Sequence, residues 1–196
     1  MNRTDYNKCM KEVAAGAKGA TLLLHVCCAP CSSSVLPRLS DFAVTPFYFN
    51  PNIDTKEEFE KRYVQFEKLG VKPVCVPYDH AAFLQVVQGT EKEKEGGARC
   101  HKCIYLRLEE TAKYAAANGF AYFCSSLSVS PHKDAAFINE AGEMLAKQYG
   151  VSFLPNDFKK ENGFFESVRL SKSADLYRQS YCGCEFAKRE TEAEVL

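Results

Sequence analysis

Seven of the ten cysteines in the chain fall in three groups whose spacing suits metal ligation or redox chemistry. Cys27, Cys28 and Cys31 lie in HVCCAPCSSS, Cys100 and Cys103 in RCHKC, and Cys182 and Cys184 in YCGCEF. The first group follows an apolar run, at the carboxyl end of a predicted strand and just before a helix that Ser32 or Ser33 is expected to cap. Ligands bind at that edge of an open α/β sheet, and a helix N-terminus favours anions, thiolates included. The competing reading makes these cysteines small buried apolar residues. Against it, sequence neighbours such as Cys27 and Cys28 normally point to opposite faces of a strand.

The RCHKC pair is expected one turn apart at a helix start, with both sulfurs on one side near the positive helix end. Cys-x-x-Cys serves zinc, iron-sulfur and thioredoxin-like redox sites alike. A thioredoxin-type motif follows its own strand directly, whereas this one follows the polar loop TEKEKEGG, Thr90 to Gly97. In the third group Gly183 relieves crowding, so that the sulfurs of Cys182 and Cys184 can approach each other or a shared metal. A disulfide ring closed over one residue is strained, and strained disulfides are the labile, catalytic ones. The alternative makes both thiolates ligands of a second metal. Cys9, Cys75 and Cys124 stand alone and read as structural. Seven clustered cysteines exceed what one four-coordinate zinc uses, although structural zinc stays open on spacing alone. A 4Fe-4S cluster takes four thiolates and leaves the others for further redox work.

The elements that must position these groups alternate in type, which predicts an α/β domain with a largely parallel sheet and helices on both faces. Strands are expected at 21–26, 44–49, 71–76 and 121–126, and helices at 33–40, 56–69, 82–88, 101–117 and 133–149, after an N-terminal helix holding Cys9. Phe59, Tyr63, Phe66 and Leu69 form a helical core stripe closed by Gly70. Thr90 to Gly97 reads as a mobile surface loop. Residues 1–196 are expected to form one domain, with 155–196 a C-terminal extension that packs over the sheet and carries the Cys-Gly-Cys.

Composition narrows the function classes. A chain of 196 residues, 46% hydrophobic and 26% charged, is ordinary globular protein. Its longest apolar run, Thr21 to Cys28, falls well short of the ~20 residues that span a bilayer, so no membrane partner is expected. The charged N-terminus lacks the apolar segment of a signal peptide. A cytoplasmic location follows as the expectation, in a compartment that keeps thiols reduced and disfavours a disulfide framework. With 25 acidic and 25 basic residues the net charge is zero, so any nucleic-acid site must be local. The local supply is His132, Lys133, Lys159, Lys160, Arg169, Lys172, Arg178 and Arg189, interleaved with Phe164, Phe165, Tyr177 and Tyr181, which suits stacking on splayed bases. A solvated helical face over a buried aromatic stripe accounts for the same residues. No G-x-G-x-x-G follows a strand to hold a dinucleotide.

Five segments together carry a resemblance: LLLHVCCAPCSSSVL at 22–36, YFNPNI at 48–53, GGARCHKCIYLRLEETA at 96–112, SSLSVSPHKD at 125–134 and NGFFESVRLSKSADLYRQSYCGCEFA at 162–187. In these the chain resembles the QueH-type epoxyqueuosine reductases. The resemblance implies a Rossmann-like fold similar to the adenine-nucleotide α-hydrolases, and reduction of the epoxide of epoxyqueuosine to queuosine in tRNA. It implies 4Fe-4S ligands at Cys27, Cys28, Cys100 and Cys103 and a redox-active pair at Cys182 and Cys184. Cys31 is left over, as a ligand of the cluster or of an additional iron ion. CCAPCSS stands where the nucleotide hydrolases carry a phosphate loop, so ATP binding is not expected. The implied partners are a tRNA anticodon loop with a modified wobble nucleoside and a low-potential electron donor. Losing an epoxide oxygen as water needs two electrons, two protons and a polarising group. Candidate acids are Asp134, His132, Tyr105 and Tyr181, with Asp134 also a candidate iron ligand. Two other readings are a cluster-containing tRNA thiolation enzyme or ATP-dependent ligase, which the missing phosphate loop disfavours, and a zinc-stabilised RNA-binding module.

Overall fold

The structure is a computed structural model, which describes residues 4–193. Five strands form one sheet, all parallel: β1 (Thr21–His25), β2 (Ala43–Tyr48), β3 (Val74–Cys75), β4 (Tyr122–Ser125) and β5 (Ser152–Phe153), in the order β3-β2-β1-β4-β5. Leu23 of β1 lies opposite Thr45 on one side and Phe123 on the other. Leu22, Leu23 and Leu24 are all fully buried, as an unbroken apolar run must be when helices cover both faces of a parallel sheet. Burial of each such side chain contributes roughly 1.5–3 kcal/mol. The chain winds outward from β1 through β2 to β3, then returns beside β1 with β4. The carboxyl ends of β1 and β4 therefore flank the switch point of this Rossmann-like sheet, where such folds bind ligands.

Among the described residues eight helices accompany the sheet: α1 (Tyr6–Gly16), α2 (Ala29–Val35), α3 (Lys56–Tyr63), α4 (His80–Val87), α5 (Ala98–Ala117), α6 (Ala135–Tyr149), α7 (Gly163–Ser173) and α8 (Glu185–Ala193). Single 3-10 segments prolong α2 over Leu36–Leu39 and α3 over Val64–Leu69. Thr55 caps α3 by accepting from the Glu58 amide, and Gly70 ends the run at φ 67. Phe59 and Phe66 of the expected stripe are buried. No described helix is long and apolar enough to cross a membrane.

Four sequence expectations change. The helix after β1 starts at Ala29 rather than Ser33, because Pro30 fits its first turn, where the missing N–H has no partner to lose. Ser32 and Ser33 consequently do not cap it; their hydroxyls donate back to the carbonyls of Cys28 (2.9 Å) and Pro30 (2.8 Å). β5 is two residues long and left no pattern to read. Cys75 lies exposed on the edge strand, unlike the buried Cys124. The 90–97 loop is pinned, not free. Buried Arg99 donates to the carbonyls of Glu91 (3.0 Å) and Glu93, and Lys133 Nζ reaches Glu95 Oε1 at 2.8 Å.

Candidate active site

Where β1 ends, the backbone turns at Cys27 and Cys28 occupies the N-cap position of α2. Strand alternation stops there, so the two neighbouring side chains converge. The sulfurs of Cys27, Cys28 and Cys31 all lie within 4.8 Å of one another, and Cys27 Sγ is 3.9 Å from Cys28 Sγ. Cys28 is pulled well down because its sulfur accepts from Cys27 and then Cys31, while Cys31 is pushed up by donating to both neighbours. Ser126, just past β4, brings its hydroxyl to 3.8 Å from Cys27 Sγ across the switch point.

Beneath the trio His25 fixes the strand end. Its Nε2 lies 3.1 Å from the Phe49 carbonyl, which only accepts, so Nε2 carries the proton. Nδ1 then accepts from Ser125 Oγ at 2.8 Å, and that hydroxyl in turn accepts from the Leu127 amide at 3.2 Å. Complete burial, and then the charge of Arg107, lowers the His25 pKa to about 4. Both ring nitrogens are engaged and the ring is neutral. His25 is a strut, not a ligand.

Cys100, Cys103, Cys182 and Cys184 line a second, much smaller cavity together with Asn52, Phe83, Arg99, Arg107 and Lys133. Cys100 and Cys103 sit in the first two turns of α5, and Arg107 follows Cys103 by four residues on the same face. Arg107 is 2% exposed, and its recorded partners are the Cys103 carbonyl (3.3 Å) and Asn50 Oδ1 (3.5 Å), with no carboxylate among the described residues. Burial works against its charge, and the sulfurs of Cys103, Cys182, Cys27 and Cys100 hold it protonated. A buried guanidinium without an acid partner calls for compensating negative charge. Lys133 is also buried; desolvation opposes its charge, while Cys182 and Glu95 sustain it. Arg107 was legible as the one charge on the buried face of the predicted helix, and neither it nor Lys133 in this role was read from the sequence.

The Cys182-Gly183-Cys184 segment is a strap laid across this cavity. Arg62, buried and ion-paired to Glu58 at 2.7 Å, donates through Nη1 to the Cys182 carbonyl at 3.0 Å. Gly183 adopts φ 132, and its carbonyl accepts from the Asp54 amide at 2.9 Å. A Cβ at 183 would lie 2.9 Å from Arg62 Nη1 and 3.2 Å from Asn52 Nδ2, so glycine is required for conformation and for space. On either side Tyr181 Oη and Lys188 Nζ donate to the Asp54 carboxylate at 2.9 and 3.1 Å, and Arg99 pairs with Glu190 at 2.8 Å. Both cysteines stand as free thiols. Burial, then the charge of Cys182, pushes the Cys184 thiol up to about 12.

Outside the trio opens a cleft of about 660 Å3, lined among others by Cys28, Cys31, Gln179, Tyr181, Cys182 and Phe164. Among the described residues only Cys182 and Lys133 line both the cleft and the inner cavity. His132 and Arg178 also face the cleft. Other members of the expected basic set are engaged elsewhere: Arg169 pairs with Glu166, and Lys159 donates to the Lys133 carbonyl at 3.0 Å. Tyr177 hydrogen-bonds Glu58. Phe165 is 70% exposed, so the aromatic stretch is not a buried stripe. Asp134 caps α6, its Oδ1 accepting from the amides of Ala136 (2.9 Å) and Phe137 (3.2 Å), and it borders a neighbouring groove instead of the cleft. Tyr105 packs against the core.

The donor set fits an anionic thiolate-ligated metal centre. Three sulfurs converge, four more line the adjoining cavity, and buried Arg107 and Lys133 supply the countercharge. A family profile described as epoxyqueuosine reductase QueH matches residues 22–190. Over 202 aligned residues the chain is 40% identical to the epoxyqueuosine reductase QueH of Streptococcus pyogenes serotype M1, covering 95% of this chain and 79% of the relative. It is 38% identical to that of Staphylococcus aureus, covering 94% and 84% of the two chains, and 35% identical to that of Thermotoga maritima, covering 89% and 95%. The chain is therefore a member of the epoxyqueuosine reductase QueH family, and an oxidoreductase.

Proposed function

We propose that this protein reduces the epoxide of epoxyqueuosine in tRNA to the alkene of queuosine, with a 4Fe-4S cluster held by Cys27, Cys28, Cys100 and Cys103 and with Cys182 and Cys184 as the redox pair. Cys31 is the reserve donor, to the cluster or to an additional iron. The observation that carries the reading is the position of Cys182, which borders both the open cleft and the inner cysteine cavity. A bound iron-sulfur centre supplies electrons one at a time.

The chain's own residues account for the remaining requirements. A cleft of about 660 Å3 is of the size that encloses a small-molecule ligand, so it admits one extruded nucleoside. Phe164, Tyr181, Arg178 and His132 line it, and the exposed Phe165, next to Phe164 in the chain, offers a platform for a flanking base. The redox balance closes on the pair: two thiols become one disulfide, releasing two electrons and two protons, which convert the epoxide to an alkene and water. Cys184, with its raised pKa, holds one of those protons on sulfur until oxidation. A low-potential donor returns the disulfide to the dithiol.

Nucleoside analysis of digested tRNA tests the proposal. Anaerobically prepared protein holding roughly four iron and four sulfide per chain, given tRNA bearing epoxyqueuosine and a one-electron donor, should yield queuosine. Unchanged epoxyqueuosine with a reducible cluster in place would refute it.

A further inference from the structure

The strap that carries the cysteine pair also touches the strand-end trio. Gln179, three residues before Cys182, places Nε2 3.3 Å from Cys28 Sγ. Its Oε1 is buried and has no partner among the described residues, so among them the contact to sulfur is the side chain's one polar anchor. The NH2 end of the amide faces the sulfur, and a metal-bound sulfur accepts from it. Among the described residues no other side chain from outside the trio donates to the Cys28 sulfur.

We propose that Gln179 is a positioning residue for the metal centre, whose N–H donated to the Cys28 sulfur raises the reduction potential of that centre. The inference rests on the reading of Cys28 as a cluster ligand. Reduction adds negative charge that spreads onto the ligand sulfurs, so a hydrogen bond to sulfur is stronger in the reduced state and favours it. Because Gln179 and Cys182 share one strap, docking of the strap sets two properties together. It brings the redox pair to the cavity wall and brings the donor that tunes the centre.

Gln179→Leu and Gln179→Met remove the N–H while keeping comparable bulk. A redox titration of anaerobic protein, followed by the spectrum of the reduced centre, should show both variants with wild-type iron and sulfide and a midpoint more negative by about tenfold in the reduction equilibrium, about 59 mV for one electron. Variants with full metal content and the wild-type midpoint overturn the inference. Loss of iron from both variants overturns it too, since a residue that only tunes the centre is not needed to retain it. Wild-type protein without a redox-active centre overturns the cluster reading itself, and this inference with it.

Discussion

The two cysteine groups that meet at the cleft are held in place by different means. Cys27, Cys28 and Cys31 sit where a fully buried strand passes into a helix, above a neutral histidine whose two nitrogens are both hydrogen-bonded. Cys182 and Cys184 sit on a strap fastened by separate polar contacts, through Arg62, Asp54 and the Arg99–Glu190 pair. The first arrangement is continuous with the core and moves only if the sheet does. The second rests on these contacts and on a small apolar cluster in which Cys184 and Ala187 meet Phe83, Val87 and Cys103, so its stability is expected to be local. A metal centre needs fixed ligands, and a thiol pair that alternates between dithiol and disulfide needs freedom to change its spacing. On the proposed reading the metal ligands fall to the strand end and the redox pair to the strap.

The sharpest way to break this comparison is to remove a sulfur from each side. Cys28→Ala should abolish both iron binding and turnover, whereas Cys184→Ser should abolish turnover and leave iron and sulfide at wild-type levels. Equal metal loss in both, by metal and sulfide analysis, would erase the distinction. Next in size is the histidine strut. Its pKa is about 4 folded against 6.5 unfolded, so the unfolded chain binds the proton first as pH falls. Stability is full above pH 6.5 and declines by about 3 kcal/mol toward pH 4. Denaturant titrations at several pH values should show that decline in wild type and a flattened one in His25→Gln.

On the strap the effects should be smaller and local. Gly183→Ala forces a side chain into φ 132 and against Arg62, at a cost of roughly 1–3 kcal/mol. It should slow turnover while sparing the metal content. Glu190→Gln weakens the fastening to Arg99. Glu190 is partly exposed, so screening limits the loss, and amide hydrogen exchange in α8 should accelerate by about tenfold, the equivalent of about 1.4 kcal/mol. Faster exchange spread over β1 as well would mean that strap and sheet form one unit.

The sheet was legible where sequence patterns are long: TLLLH reads as a buried strand, and each of the four strand candidates overlaps an observed strand. β5 was not, because Ser152–Phe153 becomes a strand only by pairing with Tyr122 and Phe123. The three cysteine groups were visible as spacings, but the convergence of Cys27, Cys28 and Cys31 depends on the backbone leaving strand geometry at Cys27, which no alternation rule anticipates. Lys133 and Gln179 were out of reach for a related reason. Each acquires its part from contacts with distant segments, Glu95 for one and Cys28 for the other. The 90–97 loop looked mobile from its composition because its anchors, Arg99 and Lys133, lie outside it.

The central claim, a fixed metal centre serving a movable thiol pair, is tested most directly by a single turnover without an electron donor. Protein is reduced anaerobically, freed of reductant, mixed with tRNA bearing epoxyqueuosine, quenched, alkylated and analysed by mass spectrometry alongside the tRNA nucleosides. The account predicts about one queuosine per chain, with Cys182 and Cys184 protected from alkylation as a disulfide in matching yield. Queuosine formed while both thiols remain alkylatable would contradict it.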